Sequence, residues 1–219
     1  CSMLDEATAT AEAATMMRNL RSREQVKAGA DVLFVDDEVF PQTLAVLRTR
    51  CAGQGIRIVT GDYMTYDFSE QCFGAIVQLP NANGSAEDYA DFTQRAHAAG
   101  VKVAVIADIM ALALLKAPGT WGADICMGST QRWGIPMGYG GPAAAFMATR
   151  DEYKRELPGR IIGISRDTHG HPALRLALQT REQHIKRERA TSNICTAQAL
   201  MASMAGMYCV YHGADQLRS

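Results

Sequence analysis

Seven residues, 101–107, carry one polar side chain, Lys102, and run directly into Asp108. So short and apolar a run suits a strand covered on both faces, the usual state of strands in a parallel sheet flanked by helices. Shorter apolar runs at 32–35, 56–59 and 74–79 precede it, and 124–127 and 143–148 follow it. Helical patterns lie between them. One is read over 2–20. A second starts at Pro41, a favoured first-turn residue, and runs to Cys51, with Gly53 and Gly55 after it. A third is expected from Ser85 to Ala99, with Asp88 three residues after the cap. Residues 151–156 and 179–189 read as charged helices, and 195–211 as an apolar one. This alternation predicts an α/β chain with a mostly parallel sheet and helices on both faces.

In such sheets ligands gather at the carboxyl ends of the strands. That rule singles out Asp36-Asp37, Asn81 to Asn83, Asp108 and Ser129-Thr130-Gln131. Asp108 has two readings. It can cap the segment 109–115, or aim a carboxylate into a site at the strand ends. His169-Gly170-His171 sits in a turn-forming context, which favours an exposed loop over a metal site, and no further ligand set with zinc spacing appears. Gly138 to Ala143 matches G-x-G-x-x-A, but Pro142 and a strand-like run follow where a dinucleotide fingerprint needs a helix. The charge run 180–189 reads as a solvated helix, with Glu182 and Lys186 four residues apart.

Acidic and basic residues nearly cancel, to a net charge of −1, so nucleic acid and anionic membrane surfaces are not expected partners. No apolar run reaches membrane-spanning length. Six cysteines without a C-x-x-C pair point to a reducing compartment. The first residues read as a helix already under way, which suggests a piece of a longer protein.

Several longer segments carry a resemblance. They are Met3-Leu4-Asp5-Glu6-Ala7-Thr8, Pro41-Gln42-Thr43, Trp121-Gly122-Ala123-Asp124-Ile125, the run from Gln131 to Pro142, Pro158-Gly159-Arg160-Ile161-Ile162-Gly163, Thr180-Arg181-Glu182-Gln183-His184-Ile185, and Thr191-Ser192-Asn193-Ile194-Cys195-Thr196. Together, and in this order, they resemble the glycine decarboxylase family, the P-protein of the glycine cleavage system. The resemblance runs the length of the chain. It implies the large domain of a fold-type I pyridoxal-phosphate enzyme, taken as one domain over 1–219. Members have two homologous halves, and the cofactor lysine lies in the C-terminal one.

This chain resembles the N-terminal half, with Gln131 where the lysine would stand. An amide nitrogen cannot condense to an imine, so the resemblance implies that this half is inactive alone. Asp108 takes the position of the carboxylate that pairs with the pyridinium nitrogen, and Phe40 stands where the family usually has histidine. No catalytic residue and no metal ligand is expected here. Arg132, Tyr139, Arg181, Asn193 and Thr196 are candidates for facing the active half. The implied cofactor is pyridoxal phosphate on that other half. The implied partners are the C-terminal half or paired subunit, glycine, and the lipoylated H-protein that receives the aminomethyl group. The implied compartment is bacterial cytoplasm or mitochondrial matrix. The alternative is a non-catalytic scaffold or regulatory domain with a vestigial pocket.

Overall fold

The computed structural model describes residues 1–178, 187–190 and 198–219. Its strands are β1 (Ser2–Met3), β2 (Val32–Asp36), β3 (Arg57–Gly61), β4 (Cys72–Leu79), β5 (Lys102–Ala107), β6 (Ile125–Ser129), β7 (Ala145–Thr149), β8 (Ile161–Arg166) and β9 (Pro172–Leu178). The α-helices are α1 (Glu6–Asn19), α2 (Arg23–Lys27), α3 (Pro41–Ala52), α4 (Ala90–Ala98) and α5 (Ala199–Arg218), the last broken at Gly213.

Seven strands form one sheet in the order β1-β7-β6-β5-β4-β2-β3. The five strands β2 to β6 pair in parallel, while β7 and β1 add antiparallel at one edge. Each central strand is apolar on both faces because both are covered. On β5, Ala104 and Ile106 join the core beneath α1 and α3, whereas Val103, Val105 and Ala107 join the one beneath α4. The second core holds an aromatic group in which Phe34 stacks on Tyr66 at 4.0 Å and Tyr63 meets Tyr89 edge-on at 4.8 Å. Burial of that much apolar and aromatic area is the main force closing the sheet. Between α1 and α3, Arg50 Nη2 donates to the buried Glu12 Oε1 at 2.5 Å, which keeps a charge at the helix–helix seam paired.

Three expectations shift. The helix read from residue 2 starts at Glu6. Asp5 Oδ1 accepts the Thr8 amide at 2.8 Å as a cap, and Ser2–Met3 instead pair with β7. The helix expected from Ser85 starts at Ala90, because Asn81 Oδ1 accepts the Ser85 amide at 2.9 Å and ties that residue into the loop after β4. Residues 151–156 form a 3-10 segment, not an α-helix. Most of the 179–189 reading lies outside the described residues, as does the start of the one at 195–211, of which α5 is the described part.

Beyond the main sheet, β8 and β9 form an antiparallel hairpin turned by Asp167 to Gly170. Asp167 Oδ1 accepts the His169 and His171 amides at 2.8 and 2.9 Å, so the two histidines belong to a turn. A strand, β7, follows the glycine loop at 138–141, so the helix a dinucleotide fingerprint requires is not there. No helix among the described residues is long and apolar enough to cross a membrane.

Candidate functional site

The carboxyl ends of β4, β5 and β6 lie side by side, so the residues that follow these strands are brought to one edge of the sheet. After β4 come Pro80 and Asn81, after β5 Asp108, and at the end of β6 Ser129 to Gln131. The start of α1 packs across the same edge, where Glu6 Oε2 accepts the Ser129 amide at 3.3 Å. Phe40, the residue before α3, is held there as its amide donates to Gln78 Oε1 at 3.0 Å. These groups enclose a cavity of about 400 Å³, lined by Phe40, Asp108, Gln131 and Arg132 together with Glu6, Gln78 and the loop after β4. That volume is in the range of small-ligand sites.

Of the two readings of Asp108, the helix cap is not met: Met110 is the N-cap of the short 3-10 turn at Ala111–Ala113 and no side chain caps it, although Asp108 Oδ1 accepts the Met110 amide at 2.9 Å. Its Oδ2 faces the cavity and accepts from Arg132 Nη1 at 2.9 Å. Gln131 donates its backbone amide to Ser129 Oγ at 3.1 Å and places its side chain at the cavity wall. Glu6 was not singled out by its sequence position. Burial pushes its carboxyl above the usual range, and the neighbouring Asp108 charge adds to that. The Ser129 amide pulls the other way, more weakly than burial.

Of the residues named from sequence, Phe40, Asn81, Asp108, Ser129, Gln131 and Arg132 thus converge, whereas Asp36 and Asp37 do not line the cavity. Tyr139 does not line the cavity; it is fully exposed in the glycine loop, with φ of 57°. Arg181, Asn193 and Thr196 lie outside the described residues.

The residues fit a covalently held pyridoxal group poorly. None of Lys27, Lys102, Lys116 or Lys154 lines the cavity, and the position after Thr130 is an amide. The carboxylate that a pyridinium would need is already paired with Arg132. The cavity also presents two acids, Glu6 and Asp108, against one cation, Arg132, which opposes an added phosphate.

All 219 residues match the family model described as glycine cleavage system P-protein. The chain is 64% identical, over its full length, to a glycine dehydrogenase (decarboxylating) of Bacteroides fragilis. It is 55% identical over 217 residues to the protein of that name from Nostoc punctiforme. It spans only 23% and 22% of the lengths of these relatives. A crystal structure of glycine decarboxylase (P-protein) in inhibitor-bound form superposes with a TM-score of 0.89 at 36% identity, covering 99% of this chain and 49% of that one. Glutamate decarboxylase of Lactobacillus brevis superposes at 0.63 with 12% identity, over 99% of this chain and 50% of its own. That second likeness carries the fold alone, and the fold is the expected α/β one with a mostly parallel sheet. With every residue matched and identity this high, the chain belongs to the glycine cleavage system P-protein family.

Proposed function

We propose that this chain is the large-domain core of the half of a glycine decarboxylase that lacks the cofactor lysine. The observation that carries the reading is Gln131, just after β6, lining a cavity that keeps the Asp108 carboxylate but, among the described residues, has no lysine amine to form an imine. Pyridoxal phosphate would be held by the other half of the parent, where it would supply an electron sink for decarboxylation of glycine. The lipoylated H-protein would be the acceptor of the aminomethyl group. This half supplies scaffold and wall: its sheet fixes the strand ends, and the glycine loop carrying Tyr139 presents a fully exposed ring to a partner surface. The parent works in a reducing compartment, the bacterial cytoplasm or the mitochondrial matrix.

Treating the parent with pyridoxal phosphate and then borohydride, followed by peptide mass mapping, should place the reduced lysine adduct outside these 219 residues. A stoichiometric adduct on Lys27, Lys102, Lys116, Lys154 or Lys186 overturns the assignment. Arg181, Asn193 and Thr196 are proposed to face the active half with Tyr139. Arg181→Ala or Asn193→Ala in the parent should lower glycine–bicarbonate exchange about tenfold, the size of one lost charge-assisted hydrogen bond. Unchanged exchange in both removes that wall from the model of catalysis.

A further inference from the structure

The cavity at the ends of β4, β5 and β6 has lost its imine-forming position, yet its polar groups are arranged for something other than solvent. We propose that it is a non-covalent site for a free α-amino acid, bound as its zwitterion, with Glu6 taking the ammonium and Arg132 the carboxylate. The inference rests on the charges that line the cavity. It goes beyond the decarboxylase assignment, although the site count in its test rests on that assignment.

Glu6 is the first argument. Its carboxylate is half-buried, accepts the Ser129 amide and a side-chain hydrogen bond from Gln78, and forms no ion pair among the described residues. A carboxylate withdrawn from water without a cation is held at an energetic disadvantage. An arriving ammonium removes that disadvantage and supplies three donors. Burial holds its carboxyl above the usual range, and the Ser129 and Gln78 hydrogen bonds offset that only in part.

Arg132 is the second. Its guanidinium is anchored through Nη1 to Asp108, leaving Nε and Nη2 without a partner among the described residues, and the side chain remains largely exposed. Asp108 spends one oxygen on Met110 and the other on Arg132, so it orients the guanidinium and leaves the ammonium to Glu6. A guanidinium with an open edge is the group best shaped for a planar carboxylate.

Charge then selects the ligand class. Glu6, Asp108 and Arg132 sum to one net negative charge in the cavity. A simple anion meets two carboxylates, and a phosphate ester does so with still more charge. A simple amine satisfies Glu6 but leaves the Arg132 edge empty. A zwitterion adds no net charge and satisfies both ends. The apolar wall from Phe40 and Pro80, and a volume well above that of glycine, leave room for a side chain.

The test counts sites in the intact parent enzyme. Equilibrium dialysis with labelled glycine should give two sites per chain, and one after borohydride has fixed the cofactor on its lysine. Serine should compete at the remaining site. Acetate and methylamine should bind there at least about tenfold more weakly than glycine, since each leaves one charge unpaired. Glu6→Gln keeps the acceptor for Ser129 but removes the charge, and Arg132→Gln removes the fork; each should lower the untreated count from two to one. A single site in the untreated parent overturns the proposal. So does a second site that both variants retain, or one that acetate fills as well as glycine does. The variants decide the matter without the reduction step, whose own failure bears only on where the cofactor lysine lies.

Discussion

Replacing Gly128 with alanine should lower the stability of the chain by about 3 kcal/mol or more, at the upper end of what overpacking does. Gly128 lies in β6, between β5 and β7, opposite Phe146. A methyl group there would fall well inside contact distance of the Ala107 carbonyl oxygen, and would also press on Phe146 Cε1 at 3.1 Å. The obstruction is backbone, so no rotamer relieves it, and β5 must separate from β6 at the point where Asp108 leaves the sheet. Gly74 is the natural control. Its added methyl would meet the Met17 thioether at 3.1 Å, a flexible side chain that can move, and the loss there should be near 1 kcal/mol. Urea unfolding of both variants gives the comparison. A Gly128→Ala midpoint no lower than that of Gly74→Ala would mean that the β5–β6 seam yields more easily than its packing implies. Because the same displacement moves Asp108, it should also disturb the Arg132 ion pair and the cavity behind it.

This coupling of strand packing to the site explains what could be read from the sequence. The buried parallel strands announce themselves as short apolar runs, and the strand-end rule then selects Asp108 and Gln131 without any knowledge of neighbours. Arg132 follows from adjacency. Glu6 was illegible because its role depends on a contact with Ser129, 123 residues away, while locally it is an ordinary acid in a helix first turn. The helix start at Ala90 was misread for a related reason. Ser85 and Asp88 have the spacing of a cap, but Asn81 competes for the Ser85 amide and wins within the loop. β1 is two residues long and exists only through β7. The β8–β9 hairpin leaves Ile162, Ile164 and Leu174 exposed, so it lacks the clean apolar-in, polar-out alternation that marks a strand in sequence.

Asp36 supplies the second large effect, through pH. It ends β2, is 1% exposed, and uses one oxygen to accept the Tyr63 amide at 3.2 Å. The other oxygen, Oδ2, is buried without a hydrogen-bond partner. Burial, with smaller contributions from Asp62, Glu38 and Asp37, pushes its carboxyl up from 3.8 to about 6, against the opposing pull of the Tyr63 amide. Between those two values the folded chain holds a proton that the unfolded chain has released. The stabilisation this represents is complete below about 3.8 and is lost as pH rises through about 6. The gap amounts to about 3 kcal/mol at most. Asp36→Asn keeps an acceptor for Tyr63 and cannot ionise. The variant should therefore be more stable than the parent sequence at pH 7, by up to about 3 kcal/mol, and should lose that advantage near pH 4. Urea midpoints taken for both proteins from pH 4 to 7 measure the effect. If the two midpoints run parallel across that range, Asp36 is ionised in the fold at no energetic disadvantage, and its buried oxygen must be solvated in a way that the packing around Tyr63 and Tyr89 does not provide.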